Sequence, residues 1–277
     1  MIPRASITHW SAGAPWPTEL QIEQDLVLSR LIVDLANHPV LGDELALRGG
    51  TCLHKLHLPT ALRYSEDLDY VRTTTGPVKE IMDAIREVAT AAGLSADRYK
   101  VAGDMVTMRF EAPGEGGGRM RVKIETNIAE TAARYPRERL AYAVGSPWFS
   151  GEAQVGTFHI DELVATKLRA LYQRKKGRDL FDLWHVLVAL PVDDERIVEA
   201  LGHYLRDEVF SFRELALNLR AKLRDPDFAA DLSALVVRTP DGYALEVAAD
   251  TVMERLGSRL RNAPPLDEIR TGGWRAG

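Results

Sequence analysis

Two carboxylates stand one residue apart in the stretch "LRYSEDLDYVR", residues 62–72. Side chains on a strand alternate between its faces, so Asp67 and Asp69 point one way while Leu68 and Tyr70 point the other. Two like charges this close raise each other's pKa unless a cation or several hydrogen-bond donors keep both ionised. The pair therefore requires a partner elsewhere in the chain.

A glycine turn precedes the pair. The apolar segment in "ELALRGGT" runs into Gly49, Gly50 and Thr51, and "CLHKLHL" behind it has helical spacing. Backbone N–H groups at such a turn can face an anion, and glycine lets the anion approach closely because it has no Cβ. We interpret the three residues as a binding site for a triphosphate.

A third carboxylate lies on a later strand. "MVTMRFEA" and "MRVKIETNI" both alternate with period 2 around the turn-rich "PGEGGG", which predicts a hairpin. Glu125 falls on the polar face of its second strand, beside Lys123. Asp67, Asp69 and Glu125 together would hold Mg²⁺, which prefers oxygen ligands and substrate phosphates, and two such ions can support an in-line displacement. This layout predicts a nucleotidyltransferase.

The remaining pattern predicts an α+β protein of two domains, 1–155 and 156–277. Thr18 and Gln21 form a capping box that opens an amphipathic helix. "PVKEIMDAIREVATAAG" predicts a helix with Pro77 in its first turn. From His159 onward the pattern is mostly helical, with the acids of "DELVATK" and "RDLFD" in first turns, and the tail "RTGGWRAG" is expected to be loose.

Composition narrows the classes of protein. The chain has 277 residues, a net charge of -5 and a single cysteine, Cys52, which excludes an internal disulfide framework and a cysteine-rich zinc site. Its apolar runs are far shorter than the roughly 20 residues of a membrane span, and its N-terminus has no apolar signal core. We expect a cytoplasmic protein with no membrane partner.

The charge is unevenly distributed. Six basic residues and no acid lie between Leu163 and Arg178, and a second basic group comprises Arg119, Arg121, Lys123, Arg134, Arg137 and Arg139. Such a run is either a solvated helix face or a surface that follows an RNA backbone.

Four separated motifs, in order, carry a family resemblance over roughly residues 40–190: Gly-Gly-Thr, "RYSEDLD", the lysine of "DELVATK", and "RDLFD". The chain resembles the AbiEii/AbiGii nucleotidyltransferase toxins, including the mycobacterial MenT type. The resemblance implies a DNA polymerase β-like nucleotidyltransferase core, a mixed sheet flanked by helices, followed by a helical C-terminal part. It also implies an enzyme that acts as the toxin of a toxin–antitoxin pair.

The resemblance assigns roles to individual residues. It implies that Asp67 and Asp69 bind the metal, that Lys167 binds the nucleotide, and that Asp182 is a late catalytic aspartate from the helical domain, with Asp179 as its neighbour. Without the resemblance, Lys167 is a solvated lysine, Asp179 a helix cap and Asp182 a surface residue. Ser65 shares the face of Asp67 and is either a turn hydroxyl or, as in some members of the family, a site of regulatory phosphorylation.

The function that follows is Mg²⁺-dependent transfer of a nucleoside monophosphate from an NTP to the 3′-hydroxyl of tRNA, which blocks aminoacylation and translation. The protein would be a monomer with a cognate antitoxin encoded nearby. The cations that would contact RNA are Arg174, Lys175, Lys176 and Arg178. Two alternatives remain: a small-molecule nucleotidyltransferase of the antibiotic-modifying kind, and an inactive module that binds nucleic acid or an antitoxin.

Overall fold

The computed structural model describes residues 2–114, 118–205 and 210–275. The chain divides into two compact units, Met1–Phe158 and His159–Gly277. The first contains a mixed sheet with helices and the second is helical, which confirms the predicted fold class. Within the described ranges, no helix is both long enough and apolar enough to cross a membrane.

The first unit is built on a seven-stranded sheet with the order β3-β4-β5-β2-β1-β7-β6. The pairs β1–β7 and β2–β5 are parallel, and the other neighbouring pairs are antiparallel. The strands are β1 Leu45–Arg48, β2 Asp67–Arg72, β3 Ser95–Ala102, β4 Met105–Pro113, β5 Arg119–Asn127, β6 Glu138–Gly145 and β7 Ser150–Thr157.

Among the described residues of this unit, five helices accompany the sheet: α1 Arg4–Trp10, α2 Glu19–Asn37, α3 Leu41–Glu44, α4 Gly49–Cys52 and α5 Lys79–Ala91, with a π-helical turn at Leu53–His57. The predicted capping box of Thr18 and Gln21 is confirmed at the start of α2, which packs against β5, β6 and β7. The placement of Pro77 in the first turn of its helix is wrong, because α5 begins at Lys79 with Val78 as its N-cap.

The predicted hairpin is confirmed as β4 and β5, whose residues Met108 and Ile124 are direct partners. Part of its turn, 115–117, lies outside the described residues. Leu68 on β2 is the next partner of Ile124, and all three side chains are buried. Because residues alternate along a strand, this apolar row leaves the opposite face of β2 and β5 to their polar side chains.

Three strands have weak patterns and were not predicted: β3, β6 and β7. All eight residues of β3 are exposed, since it lies at one edge of the sheet, and β6 lies at the other. In β7, Ala153 and Val155 are buried at period 2, but glycines flank them and dilute the apolar signal. Strands that bury few or no side chains show little apolar alternation, so their sequence signal is faint.

The second unit is helical, as predicted: α6 Ile160–Gln173, α7 Gly177–Ala189, α8 Asp194–Leu205, α9 Phe212–Leu223, α10 Pro226–Ala230, α11 Leu245–Arg255 and α12 Leu266–Arg270, with 3₁₀ turns at Gly257–Arg259 and Gly273–Arg275. Asp161 and Asp179 lie in the first turns of α6 and α7, which confirms that expectation.

The expectation of a loose tail is wrong for the residues up to Arg275. Trp274 is 3% exposed, and its indole Nε1 donates to Asp250 Oδ1 on α11 at 3.0 Å. One aromatic side chain is enough to anchor a short segment because it buries a large apolar area. A pattern-based prediction misses this, since a single residue has no periodicity.

We predict that Trp274→Ala lowers the free energy of unfolding by about 3 kcal/mol or more, as truncation of a buried aromatic residue does. Urea unfolding followed by circular dichroism measures the loss. The matched control is Arg275→Ala, which removes an exposed ion pair to the same aspartate and should have little effect. Equal effects of the two substitutions would contradict the anchoring role of Trp274.

Candidate active site

The predicted acidic residues meet because β2 and β5 are parallel neighbours. Asp67 is the direct partner of Lys123, and Asp69 is the direct partner of Glu125. Asp67 and Asp69 are half-buried and alternate with the buried Leu68 and Tyr70. The polar face of two adjacent strands therefore carries three carboxylates and one ammonium group within two rows.

Lys123 is the cation between these carboxylates. Its Nζ lies 2.8 Å from Asp67 Oδ2 and 3.1 Å from Glu125 Oε2. The other oxygen of Glu125, Oε1, accepts a hydrogen bond from Thr107 on β4 at 3.2 Å. The sequence placed Lys123 in a basic group and on the same strand face as Glu125, but not next to Asp67. The signal that would have found it is the strand register, which cannot be read from one strand alone.

The two partners shift each other's ionisation. Burial raises the pKa of Asp67 to about 6, although Lys123 acts in the opposite direction, and the negative charges of Asp69 and Glu66 raise it further. Burial lowers the pKa of Lys123, but its contacts with Asp67 and Glu125 outweigh that effect and raise the pKa overall. Lys123 thus carries its charge at neutral pH, and Asp67 titrates close to the physiological range.

Gly49 allows the carboxylate of Asp69 to lie against the backbone. Gly49 has a φ of +80°, and a Cβ there would be 2.4 Å from Asp69 Oδ2. The preceding residue, Arg48, is the direct partner of Asp69 in the antiparallel β1–β2 pair. Strand pairing and the absent side chain together bring the glycine turn to the acidic pair, so two motifs 20 residues apart in sequence form one site.

The rest of the turn contacts the segment before β2. A Cβ on Gly50 would be 2.5 Å from Arg63 Nη2 and 3.2 Å from Ser65 Oγ. Thr51 is buried, and its hydroxyl donates to the Asp67 carbonyl oxygen at 2.5 Å and lies 2.9 Å from Ser65 Oγ. The hydroxyl of Thr51 is thus used inside the protein. Nucleotide binding by Gly49, Gly50 and Thr51 stays a prediction, as does phosphorylation of Ser65.

The donor chemistry of this site fits a hard divalent cation, because Asp67 and Asp69 supply carboxylate oxygens on one face. Over the ranges the structure describes, however, no three Asp, Glu, His or Cys side chains are gathered closely enough to hold a metal. The Lys123 ammonium lies between Asp67 and Glu125 instead. Metal binding by Asp67, Asp69 and Glu125 therefore stays a prediction.

A polar cleft of about 360 Å³ borders this site. Side chains of opposite charge line it in equal number, so it has no net charge to select an anion. Its charged lining residues are Glu66, Asp67, Asp97, Arg98, Arg109, Glu111, Arg121 and Lys123.

The second unit has its own buried group of charges. Lys167 Nζ on α6 lies 3.1 Å from Asp179 Oδ1 and 3.0 Å from Asp182 Oδ2, both on α7. Lys167 is buried and both aspartates are inaccessible to solvent. The alternative interpretations of Lys167 as a solvated lysine and of Asp182 as a surface residue are therefore wrong. Their assignments to nucleotide binding and catalysis stay predictions.

Asp179 holds a second cation. Arg174 Nε lies 2.7 Å from Asp179 Oδ2, and its Nη2 lies 2.8 Å from Asp179 Oδ1, a two-bond arrangement that gives a strong, directional pair. Burial by itself raises the pKa of Asp179, but Lys167 and Arg174 outweigh it and lower the pKa below its usual value. Asp179 is thus ionised, and its cationic partners are Lys167 and Arg174.

The other predicted RNA-contacting cations also have acidic partners within this unit. Lys175 pairs with Asp225, while Lys176 pairs with Asp231. Arg178 Nε lies 3.9 Å from Asp231 Oδ2. Lys175 and Lys176 are about half exposed, so these are surface pairs that contribute little to stability and can exchange partners. RNA binding by the segment stays a prediction.

The first unit's sheet, glycine turn and acidic pair define a nucleotidyltransferase-like protein. The model of the nucleotidyl transferase AbiEii toxin family, of type IV toxin–antitoxin systems, matches residues 30–256. That match covers well over half of the chain, and the chain belongs to this family.

One solved structure supports the fold. The chain is similar to MenT4, a nucleotidyltransferase toxin from Mycobacterium tuberculosis, with a TM-score of 0.69 and 19% identity over 100% of this chain and 94% of that one. An antigenic nucleotidyltransferase-like protein from Paracoccidioides brasiliensis has a TM-score of 0.38 and 16% identity over 76% of this chain and 94% of that one, too low to support an argument. Among curated proteins, none matches at a significant level.

The contact of Gly49 with Asp69 generates a prediction about stability. Alanine at this position would adopt an unfavourable positive φ and also collide with the carboxylate. Gly93 is the matched control: its φ is +86°, but a Cβ there meets nothing within 4 Å. We expect Gly93→Ala to cost about 1 kcal/mol from backbone strain, and Gly49→Ala to cost at least about 1 kcal/mol more from the collision. Urea unfolding measures both, and equal costs would contradict the close approach.

The buried ion group of Lys167, Asp179 and Asp182 leads to a second prediction about stability. Lys167→Ala leaves two buried carboxylates short of a cation, so we expect a loss of about 3–5 kcal/mol in the free energy of unfolding. Because Asp179 has a lowered pKa, its ion pairs stabilise the fold above its unfolded pKa, and their contribution disappears as the pH falls. The difference between Lys167→Ala and wild type should therefore narrow in acid.

Lys175→Ala, which removes an exposed pair, is the control and should change stability little. A Lys167→Ala protein as stable as wild type at neutral pH would show that Lys167 has no structural role there.

Proposed function

We propose that this chain transfers a nucleoside monophosphate from an NTP to the 3′-hydroxyl of an RNA, with tRNA as the substrate. The observation that carries the proposal is the position of Asp67 and Asp69 on one face of β2, with Gly49 against Asp69 and Glu125 on the neighbouring strand. The AbiEii family match supports nucleotide transfer as the reaction class.

The acidic residues and the glycine turn of the first unit have different roles in this reaction. Asp67, Asp69 and Glu125 would hold Mg²⁺, which when bound supplies the positive charge that offsets the triphosphate. Backbone N–H groups of Gly49 and Gly50 face the phosphate oxygens at the turn. One of the two aspartates would accept the proton of the attacking hydroxyl, as a carboxylate within hydrogen-bond reach can.

Two residues of the helical unit also have a role in the proposal. Lys167 and Asp182 are proposed to act in catalysis, and each is already paired inside the unit. The surface pairs of Lys175 and Lys176 can exchange an aspartate for a phosphate at small cost, which is compatible with RNA contact at that segment.

The biological role proposed is that of a toxin restrained by a cognate antitoxin, since the family is defined by such pairs. Capping the 3′ end of tRNA with an extra nucleotide would prevent aminoacylation and stop translation. The Thr51 hydroxyl contacts both Ser65 Oγ and the backbone carbonyl oxygen of Asp67, so Ser65 lies close to Asp67. A phosphate on Ser65 would therefore add negative charge beside the acidic pair.

One alternative has an observation in its favour. The cleft beside Asp67 is lined by acids and bases in equal number, and a small polar acceptor would fit its volume as well as an RNA end would. A small-molecule nucleotidyltransferase would transfer label without RNA and would show no steep salt dependence, whereas RNA affinity falls sharply as salt rises.

The test incubates the protein with total RNA and each α-labelled NTP in turn. We predict that Asp67→Ala and Asp69→Ala each reduce incorporation by at least about a hundredfold, because metal-assisted charge stabilisation contributes several kcal/mol. The chain offers a matched control in its other Asp-x-Asp pair, at the start of α10: Asp227→Ala should retain full incorporation.

Stability separates loss of chemistry from loss of fold. Because burial raises the pKa of Asp67, its ionised form is a cost to the folded state above about pH 6, and Asp67→Ala should unfold no earlier than wild type at pH 7.5. Wild-type incorporation in either active-site variant would contradict the assignment. Absence of incorporation with every NTP in the wild type would favour the binding module.

A further inference from the structure

Lys123 occupies an unusual position for a lysine in a sheet. Its ammonium lies within hydrogen-bond distance of one oxygen of Asp67, on the neighbouring strand, and one oxygen of Glu125, two residues along its own strand. These are two of the three carboxylates proposed to hold Mg²⁺. The two oxygens are thus already gathered around a single positive charge.

The neighbouring strand on the other side reinforces this position. Arg109 on β4 is the direct partner of Lys123, so Arg109, Lys123 and Asp67 form one row across three strands. Arg109 is exposed and makes no ion pair with any residue in the described ranges. Like charges directly opposite each other repel, and this repulsion pushes the Lys123 ammonium towards the carboxylates.

An ammonium and a divalent cation cannot both occupy this place. Mg²⁺ binds carboxylate oxygens at about 2.0–2.1 Å and demands near-octahedral geometry, so it would lie where the Lys123 nitrogen now lies. Two positive centres at that separation would repel strongly in a half-buried site. Binding of the metal to both Asp67 and Glu125 therefore requires Lys123 to leave.

We propose that Lys123 is an internal counter-ion, whose ammonium holds the cation position between Asp67 and Glu125 and has to be displaced before a divalent metal can bind both carboxylates. The inference rests on the proposed function, because it concerns the same metal site. It adds Lys123 to the residues of that site and makes metal binding depend on the movement of this side chain.

The displaced side chain has a place to go. Lys123 itself lines the cleft beside Asp67, where Glu111 supplies a carboxylate. Glu111 already pairs with Arg119 and Arg121, both of which are exposed, so these pairs are weak and exchangeable. The long, flexible stem of a lysine allows such a movement without a change in the backbone.

The exchange has a consequence for metal affinity. Wild-type protein must break two ammonium–carboxylate contacts for each metal it binds at this position, so its affinity without nucleotide is reduced. A variant without the ammonium starts with two uncompensated carboxylates and binds the metal more tightly. If Lys123 remained in place beside the metal, its removal would also relieve repulsion, so the release of its amine has to be measured together with the affinity.

The experiment measures Mn²⁺ binding, as a spectroscopic substitute for Mg²⁺, by the electron paramagnetic resonance signal of the free ion, with no nucleotide present. Wild type is compared with Lys123→Gln, which keeps a polar side chain and removes the charge. Arg109→Gln is the matched control. It also removes one positive charge, on the neighbouring strand, and Arg109 has no ion pair within the part of the chain that the structure describes.

We expect Lys123→Gln to bind Mn²⁺ on the order of tenfold more tightly than wild type, as coupling between contacting charges suggests, and Arg109→Gln to differ by no more than about threefold. Adding Asp67→Asn to Lys123→Gln should abolish the gain. Acetylation of Lys123 in the wild type, followed by mass spectrometry, should become faster when Mn²⁺ is added, because the amine is released from its two partners.

Three results would overturn the inference: Mn²⁺ affinity in Lys123→Gln equal to or weaker than that of wild type, an equal gain in Arg109→Gln, or Lys123 acetylation unaffected by bound Mn²⁺. Circular dichroism confirms that each variant is folded. These results are separable from failure of the proposed function, because nucleotide incorporation by wild type is measured independently. An active wild type with unchanged Mn²⁺ affinity in Lys123→Gln removes only the counter-ion role.

Discussion

The parallel pairing of β2 with β5 is the constraint on which the candidate site depends. It places Asp67 beside Lys123 and Asp69 beside Glu125, and a shift of one residue would move every one of these side chains to the opposite face. The register is secured by the apolar side of the same strands, where Leu68 and Ile124 are direct partners and fully buried. The hydrophobic core thereby fixes the geometry of a polar site that contributes little to the core itself.

The site brings negatively charged side chains close together, and neighbouring residues offset part of their repulsion. Asp69 is accommodated because Gly49 has no side chain, and Asp67 is partly neutralised by Lys123. The raised pKa of Asp67 shows that the compensation is incomplete. Carboxylates whose charge is incompletely neutralised are typical of sites that bind a charged ligand. A carboxylate that is fully paired within the protein gains less from binding a cation.

The helical unit handles its buried charges differently. Asp179 receives Lys167 and both nitrogens of the Arg174 fork, and its pKa is lowered as a result. This is the behaviour of an ion group that organises the packing of α6 and α7, and a buried lysine there is costly to remove whatever else it does. A structural role of Lys167 is compatible with the nucleotide-binding role proposed for it from the AbiEii family, because a side chain held rigidly by its neighbours is also well positioned to contact a ligand.

The sequence by itself determined the fold class, the β4–β5 hairpin and the helical second half, and it singled out the residues proposed for the chemistry. These features depend on local periodicity, on capping residues such as Thr18, and on motifs whose spacing can be read directly. The edge strands β3 and β6 could not be predicted from the sequence, because they bury too few side chains to show apolar alternation. The anchoring of the tail by Trp274 was missed because one residue has no period.

Only the tertiary structure decided which charges meet. The position of Lys123 between Asp67 and Glu125 depends on the order and register of strands distant in sequence, and the pairing of Lys175 and Lys176 with aspartates depends on helices some 50 residues away. Net charge and spacing cannot reveal such pairs, because electrostatic interactions act over a few ångströms in space and take no account of separation along the chain.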